Sequence, residues 1–173
     1  MARVFLGLGS NIERQRYMVA GLDALHRLFG DFEYSSVYDS EAIGFKGQPF
    51  LNMVVAIETQ LSVAELAAQL RQIEIEHGRM ENATRFSARQ LDIDVLTYDG
   101  LFGIFDSVVL PRGEIVENAF VLQPLAELAP QAVHPELGVC YGQLWEEYAK
   151  GKQRLCIVDF EWRGRLISAS TGH

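Results

Sequence analysis

Two aspartates, Asp92 and Asp94, stand two residues apart in a stretch that alternates between apolar and acidic side chains. Leu91, Ile93 and Val95 are the apolar members, and this alternation is typical of a β-strand with one buried face. Side chains two apart on a strand project from the same face, where two carboxylates can share a hard cation such as Mg²⁺. The same spacing is also common on solvated strand faces, and the pair alone does not decide between the two interpretations.

Three arginines, Arg79, Arg85 and Arg89, precede this acidic pair in one polar stretch. The guanidinium group is a rigid fork that binds phosphate oxygens in pairs. Cations for phosphate and carboxylates for magnesium are the two parts that phosphoryl transfer requires. A solubilising loop is the alternative explanation for the arginines. Residues 7–11 are glycine-rich but contain no lysine, so an ordinary P-loop kinase is disfavoured.

A second candidate site lies on a predicted strand at residues 50–59. One face of this strand is continuously apolar and consists of Leu51, Met53, Val55 and Ile57. Phe50 and Asn52 are left together on the other face. An aromatic ring can stack on a planar heterocycle, and an amide offers a donor and an acceptor to its edge. A strand asparagine is more often a satisfied structural group, so this signal is weak by itself.

The hydrophobic periodicity predicts the order β-α-β-β-α-β for the first hundred residues. Gly30 is expected to end the first helix, and Ser62 and Glu65 form a capping box at the start of the second. This order favours an α+β fold of ferredoxin-like type, a βαββαβ antiparallel sheet with helices packed on it. The expected C-terminal additions are helices near 117–128 and 141–149 and a strand at 154–161. A strand at 32–40 and a loop at 110–114 are also expected.

Apolar residues make up 49% of the chain, which allows a sizeable core and predicts a single domain over residues 1–173. The net charge of −8 argues against nucleic acid as a partner, because that binding needs a basic face. No apolar run is as long as a membrane span and the N-terminus lacks a secretory pattern, so we expect a cytoplasmic protein with no membrane partner. Cys140 and Cys156 lack metal-ligand spacing and are interpreted as reduced thiols.

From about Val4 to Pro130 the chain resembles the 6-hydroxymethyl-7,8-dihydropterin pyrophosphokinases. The family signature is Gly-Arg-x-Arg followed by Arg-Trp-Gly-Pro-Arg-x-Leu-Asp-Leu-Asp. The similar stretch here is Gly78-Arg79-Met80-Glu81-Asn82-Ala83-Thr84-Arg85-Phe86-Ser87-Ala88-Arg89-Gln90-Leu91-Asp92-Ile93-Asp94. Further family-like segments follow in the right order: Leu8-Gly9-Ser10-Asn11, Phe50-Leu51-Asn52 and Phe120-Val121-Leu122-Gln123-Pro124-Leu125.

The resemblance implies an enzyme that transfers pyrophosphate from ATP to the hydroxymethyl oxygen of the pterin and releases AMP, on the route to folate. It implies two Mg²⁺ ions held by Asp92 and Asp94. The implied partners are ATP and a hydroxymethyl pterin, and we expect a monomer or a weak homo-oligomer. Chemistry of this kind depends mainly on alignment and charge neutralisation, so no strong general base is expected.

The resemblance also assigns roles to single positions of this chain. The implied catalytic residues are Arg79, Arg89, Asp92 and Asp94. The implied pterin contacts are Ser40, Glu41, Ala42, Ile43, Phe50, Asn52 and Phe120, where the two phenylalanines sandwich the ring and Asn52 reads its polar edge. The implied nucleotide contacts are Arg71, Glu74, Arg79, Arg85, Arg89 and Arg112.

Several positions depart from the family pattern on the nucleotide side. Glu81 replaces the second arginine of the signature, and Phe86-Ser87-Ala88 replaces Trp-Gly-Pro. Where the family has Pro-His-Tyr and a later arginine, this chain has Pro111-Arg112-Gly113 and Asn118. Arg112 could replace one missing cation, whereas Asn118 is equally well explained as a helix N-cap.

These departures leave two main hypotheses. The leading one is an active pyrophosphokinase, and the alternative is a pterin-binding paralogue with weak or altered nucleotide or substrate use. An RNA-binding module on the same topology has little support, because the chain is acidic. The tail after Tyr148, with a C-terminal extension at about 150–173, runs beyond the usual family end. We expect it to pair with an edge strand or to contact another subunit.

Overall fold

The structure, a computed structural model, describes residues 1–40, 49–78, 90–148 and 155–170. Its strands are β1 (Ala2–Ser10), β2 (Glu33–Tyr34), β3 (Val37–Ser40), β4 (Phe50–Thr59), β5 (Asp92–Tyr98), β6 (Gly103–Phe105), β7 (Val108–Leu110), β8 (Leu155–Val158), β9 (Phe160–Trp162) and β10 (Arg165–Ser168). Its helices are α1 (Arg14–Phe29), α2 (Val63–Glu76), α3 (Glu114–Glu117), α4 (Ala119–Leu128) and α5 (Tyr141–Glu147).

The centre of the fold is an antiparallel sheet with the strand order β5-β1-β4-β3-β8, in which β2 also pairs with β4. Strand β1 pairs with β4 along its whole length, from Ala2 opposite Thr59 to Ser10 opposite Leu51. On its other side β1 pairs with β5, ending at Gly9 opposite Asp92. The predicted combination of helices with an antiparallel sheet is therefore confirmed.

Both faces of this sheet are covered, which explains why its central strands contain so few polar residues. Helices α1 and α2 cover one face, and the predicted apolar face of β4 packs into their cluster through Leu51, Met53, Val55 and Ile57. Helices α4 and α5 cover the opposite face, where they pack over Val54 and Ala56. The outer ends of β4 and β5 on this second face carry the polar side chains described below.

The helix ends follow the local signals in the sequence. Helix α1 ends at Gly30, which has a φ of 75° that glycine adopts without a steric penalty. At the start of α2 the Ser62 hydroxyl accepts a 3.2 Å hydrogen bond from the Glu65 N–H, and the Glu65 carboxylate accepts a 2.9 Å bond from the Ser62 N–H. The predicted capping box is confirmed. Among the described helices, none has the length and apolar character needed to cross a membrane.

The C-terminal segment packs onto the main sheet. Strand β8 pairs with β3, with Leu155 opposite Ser40, so the tail does pair with an edge strand. The Ser168 hydroxyl on β10 accepts a 2.9 Å hydrogen bond from the Val37 N–H. Trp162 on β9 joins the core beneath α1, and its indole N–H donates a 2.9 Å hydrogen bond to Asp23.

Some predicted elements were wrong in their bounds. The expected strand at 32–40 is interrupted at Ser35, whose hydroxyl accepts the Val54 N–H in place of a backbone partner. The expected strand at 154–161 breaks at Asp159 into β8 and β9. The β6–β7 hairpin and β10 were not predicted. The two strands of that hairpin, Gly103–Phe105 and Val108–Leu110, contain no alternation of apolar and polar residues that would indicate a half-buried strand, and Ile104 and Val109 are 73% and 58% exposed.

Candidate active site

Two glycines on β1 separate the polar residues of β4 from those of β5. Gly9 lies opposite Asn52 on one side and opposite Asp92 on the other. Gly7 lies opposite Asp94 on β5 and opposite Val54 on β4. Residues paired across strands point to the same face, so Asn52 and the two aspartates share one face, which we call the site face. Two inter-strand spacings, roughly 10 Å, separate the amide from the carboxylates.

Three carboxylates meet at the β5 end of the site face. Glu74, Asp92 and Asp94 each offer a carboxylate oxygen, and these oxygens lie within 4.8 Å of one another. Glu74 comes from α2 and is only 4% exposed. It accepts a 2.8 Å hydrogen bond from the backbone N–H of Ile93, between the two aspartates. Helix α2 is thereby fixed to β5, and the cluster has the hard oxygen ligands that Mg²⁺ prefers.

The electrostatics of this cluster also suit a cation. Burial and the neighbouring Asp92 raise the pKa of Asp94 well above its usual value, against the opposing effect of Arg112. The Arg112 guanidinium lies 3.7 Å from Asp94 Oδ1 and donates hydrogen bonds of 2.8 and 3.1 Å to Glu114 Oε1. Among the described residues, Arg112 is the cation that lies next to these three largely buried carboxylates, and the group favours additional positive charge.

At the other end of the site face a serine orients the asparagine. The Ser40 hydroxyl lies 2.8 Å from Asn52 Oδ1, to which it donates, and 3.3 Å from the carbonyl oxygen of Phe50. Ser40 and Asn52 are 5% and 9% exposed, so their hydrogen bond is shielded from water. Because Oδ1 is held by Ser40, the orientation of the amide is set by the β3–β4 register.

The two phenylalanines that the resemblance singles out also belong to this side of the sheet. Phe50 alternates with Leu51 on β4 and therefore points to the site face. Phe120 lies in the first turn of α4, the helix that covers this face, and is half-buried against its core cluster. The structure thus brings Phe50, Asn52 and Phe120 to one side of the sheet.

Of the other site residues predicted from the sequence, only Arg71 lies within the described part of the chain. Arg71 is exposed on α2, one turn before Glu74. The remaining ones lie outside the residues that the structure describes: Arg79, Arg85 and Arg89 of the arginine-rich stretch, and Glu41, Ala42 and Ile43 after β3.

Glu74, which lies beside Asp92 and Asp94, was not predicted from the sequence as a metal ligand. It was placed on the nucleotide side by resemblance alone. A signal was nevertheless present, because Glu74 stands four residues after Leu70 and eight after Leu66, on the apolar stripe of α2. A carboxylate at a core-facing position is costly to bury without a partner, so such a residue is a functional candidate.

Comparison with known proteins identifies the relationship. The sequence model of the 7,8-dihydro-6-hydroxymethylpterin-pyrophosphokinase (HPPK) family matches residues 5–130, which is most of the chain. The chain belongs to the HPPK family. The resemblance stated from the signature stretch is therefore confirmed, and the match ends before β8, β9 and β10.

Several relatives of this HPPK chain are called 2-amino-4-hydroxy-6-hydroxymethyldihydropteridine pyrophosphokinase. The protein from Methylorubrum extorquens is 40% identical over 139 residues, which cover 77% of this chain and 86% of the relative. The Pseudomonas aeruginosa protein is 36% identical over 138 residues, covering 78% and 85%. The Aquifex aeolicus protein is 34% identical over 137 residues, also covering 78% and 85%.

Solved structures share the fold of this HPPK chain. A triple mutant of Plasmodium falciparum HPPK-DHPS superposes with a TM-score of 0.73 at 11% identity, covering 96% of this chain and 46% of that one. The wild-type HPPK-DHPS gives 0.70 at 12% identity, covering 96% and 50%. The chain thus spans about half the length of these structures.

The structure locates two of the positions where this chain departs from the family pattern. Arg112 reaches the carboxylate cluster, as described above. Asn118 occupies the N-cap position of α4, where its carbonyl accepts the N–H of Leu122 at 3.0 Å, but its side chain makes no capping hydrogen bond. Its Nδ2 lies 3.5 Å from Glu114 Oε2 instead. Glu81 and residues 86–88 lie outside the described residues.

Proposed function

We propose that this chain transfers the pyrophosphoryl group of ATP to 6-hydroxymethyl-7,8-dihydropterin in folate biosynthesis. The hydroxymethyl oxygen attacks the β-phosphorus, the bond from that phosphorus to the bridging α-oxygen breaks, and AMP leaves with the electron pair. The hydroxyl proton passes to water. Membership of the HPPK family and the pyrophosphokinase names of the relatives support this activity. They do not favour the alternative of a paralogue with altered substrate use.

The observation that carries the proposal is the division of the site face into two parts. Carboxylates suited to a cation lie on β5 and α2, and the Ser40–Asn52 pair lies two strands away. Gly7 and Gly9 present no side chain between them. Pyrophosphoryl transfer needs one site for metal and phosphates and another for the acceptor, with the reacting groups between them.

The metal requirement is assigned to the acidic cluster. Asp92 and Asp94 are the proposed ligands of two Mg²⁺ ions, and Glu74 is proposed as a third carboxylate beside them. Bound Mg²⁺ would neutralise the triphosphate and help to align it. Of the chain's own groups, Glu74 keeps α2 fixed to β5 through the Ile93 N–H, and Arg112 supplies a nearby cation.

The pterin is assigned to the part of the site face nearest β3. Asn52 would read the polar edge of the ring, with its rotamer set by Ser40, and Phe50 and Phe120 would enclose the ring. Glu41, Ala42 and Ile43 follow Ser40 directly and are proposed as further contacts. Arg71, Arg79, Arg85, Arg89, Glu74 and Arg112 are proposed to serve the nucleotide, with Arg79 and Arg89 stabilising the transferring group.

We further propose that the core is ferredoxin-like and that residues 1–173 form one domain. Supporting the first point, the order β5-β1-β4-β3 is the fourth, first, third and second strand of a βαββαβ unit when β2 and β3 count as one strand. Supporting the second, β8 pairs with β3 and Trp162 joins the core beneath α1.

The test separates the two halves of the site. Asp92→Ala and Asp94→Ala should abolish AMP release while leaving pterin affinity nearly unchanged, because the carboxylates serve the metal. Asn52→Ala should weaken pterin binding by about 1–3 kcal/mol through an unsatisfied polar edge. AMP release is measured by a coupled assay and pterin affinity by calorimetry, with Glu58→Ala, an exposed carboxylate on β4, as the control.

Three outcomes would count against the assignments. Near-normal AMP release in either aspartate variant would remove the metal assignment. Unchanged pterin affinity in Asn52→Ala would place the pocket elsewhere. Pterin binding without AMP release in the wild-type protein would favour the paralogue hypothesis.

A further inference from the structure

The end of the β3–β4 pairing is held from the face opposite the site. Arg14 donates a 2.8 Å hydrogen bond from Nη1 to Asp39 Oδ1 and a 3.2 Å bond from Nη2 to Oδ2. The same Nη1 donates a 3.1 Å hydrogen bond to the carbonyl oxygen of Pro49. One guanidinium therefore binds Asp39, which precedes Ser40 on β3, and Pro49, which directly precedes the start of β4.

Ser40 and Phe50, which directly follow the two residues bound by Arg14, belong to the proposed pterin site. The last pairs of the β3–β4 ladder are Asp39 opposite Leu51 and Ser40 opposite Phe50. Side chains alternate between faces, so Asp39 points toward α1 while Ser40 points to the site face. A contact that fixes Asp39 and Pro49 on one face therefore fixes the Ser40–Asn52 hydrogen bond on the other.

Arg14 is held in place by a helix that packs into the core. It is the first residue of α1, which is anchored in the core by Met18, Leu22 and Leu25. Its pair with Asp39 leaves the two side chains only 30% and 28% exposed, so the pair is less screened than a surface salt bridge. Bidentate arginine–carboxylate pairs also fix geometry, because both N–H···O bonds must align.

A positive charge at the position of Arg14 is unfavourable for the helix itself, which indicates that the contacts of Arg14 with other elements are important. A positive charge in the first turn of a helix opposes the helix dipole, and the first turn of α1 contains no acidic residue. The preceding residue, Glu13, has a left-handed φ of 43° and caps nothing with its side chain. Local conflicts of this kind are expected where a residue is retained for a function.

We propose that Arg14 is a positioning residue for the pterin site, acting through Asp39 and Pro49 on Ser40, Phe50 and Asn52. The inference rests on the proposed function, since it concerns the site assigned to the pterin. Hydrogen bonds at strand ends open more readily than those at strand centres. A contact that holds this end of β3 and β4 together should therefore raise the fraction of molecules in which the pterin site is correctly formed. The guanidinium lies on the α1 face and is not expected to touch either substrate.

The test compares Arg14→Gln with Arg16→Gln, an arginine of the same helix whose partner is the exposed Glu13. Dissociation constants for 6-hydroxymethyl-7,8-dihydropterin and for a non-hydrolysable Mg·ATP analogue are measured by calorimetry. Arg14→Gln should weaken pterin binding by about tenfold, the size of one charge-assisted hydrogen bond, with ATP-analogue affinity changed by less than about twofold. The KM for the pterin should rise more than kcat falls.

Further variants address the route through Asp39. Asp39→Asn should also weaken pterin binding, and the double variant Arg14→Gln/Asp39→Asn should be no weaker than Arg14→Gln alone, because both changes remove the same contact. Arg14→Lys keeps the charge but loses the fork, so its pterin affinity should fall between those of wild type and Arg14→Gln.

A ligand-free readout separates failure of this inference from failure of the proposed function. Hydrogen exchange of the backbone amides of Ser40 and Phe50 should be faster in Arg14→Gln than in Arg16→Gln. Equal pterin affinity in the two variants, or equal loss of pterin and ATP-analogue affinity, would overturn the positioning role. Wild-type protein that binds no pterin would overturn the proposed function, and the exchange rates would then still decide whether Arg14 holds the strand ends.

Discussion

The Arg112 guanidinium lies 3.7 Å from the Asp94 carboxylate, so the acidic cluster contains a cation of its own. Glu114 holds this guanidinium through two hydrogen bonds to Oε1. Arg112 is one of the positions that depart from the family pattern, and its contacts place a positive charge beside the carboxylates proposed to bind metal.

Replacement of Arg112 should strengthen the binding of Mg²⁺ measured without nucleotide. Arg112→Gln removes a cation that competes for Asp94, and a half-exposed ion pair of this length is worth up to about 1 kcal/mol, or about fivefold in affinity. Calorimetric Mg²⁺ titrations measure the effect. Arg3→Gln, which removes an exposed pair with Glu33, is the control. Weaker Mg²⁺ binding in Arg112→Gln would show that Arg112 does not compete with the metal.

The raised pKa of Asp94 predicts a pH-dependent gain in stability when the carboxylate is removed. Burial and Asp92 raise this pKa above its unfolded value. The contribution of Asp94 to stability is therefore full below the unfolded pKa and is lost as pH rises through the folded pKa. Asp94→Asn should raise the Tm of metal-free protein at about pH 8 by a few degrees, and the gain should shrink toward about pH 4.

Thermal unfolding with a chelator present measures this difference. Glu161→Gln, an exposed carboxylate on β9, controls for the general loss of one negative charge. A stabilisation of Asp94→Asn that does not change with pH would contradict the assignment of the shifted pKa to Asp94.

A side chain at position 9 should disturb the pterin half of the site. A Cβ atom on Gly9 would lie 2.9 Å from Asn52 Nδ2 and 3.5 Å from Phe50 Cδ1, so the amide must move. Gly9→Ala should weaken pterin binding by about 1–3 kcal/mol, the cost of a misaligned polar contact. At Gly100 a Cβ would meet nothing within 4 Å, so Gly100→Ala is the matched control for the calorimetric titration. Equal affinities in the two variants would mean that Asn52 does not read the ligand.

Glu127 should stabilise the packing of α4 against the strand region that leads to Ser40. Its carboxylate accepts hydrogen bonds of 2.9 Å from the Ser36 N–H, 2.6 Å from the Ser36 hydroxyl and 2.9 Å from the Tyr38 hydroxyl. Glu127→Ala should cost about 1–3 kcal/mol of unfolding free energy, since it removes bonds to a charged group. Denaturant unfolding measures this, and Glu146→Ala, a surface glutamate on α5, should cost much less.

Much of the fold follows from local patterns in the sequence. Three local features were predicted correctly: the capping box at Ser62, the end of α1 at Gly30 and the alternation along β4. Each depends only on neighbouring residues and on the period of one element. The carboxylate pair on β5 was identified for the same reason, since a spacing of two places both side chains on one face. The family relationship likewise follows from contiguous motifs.

Tertiary structure alone decided which distant residues meet. Glu74 joins Asp92 and Asp94 because α2 packs beside β5, and no spacing along the chain encodes that distance. Arg14 reaches Asp39 and Pro49 because α1 lies over the end of β4, against the local preference of a helix start for acidic residues. Periodicity specifies which face of an element is apolar, whereas the partners of its polar residues depend on how the elements pack. The contacts that we propose to be functional are of that second kind.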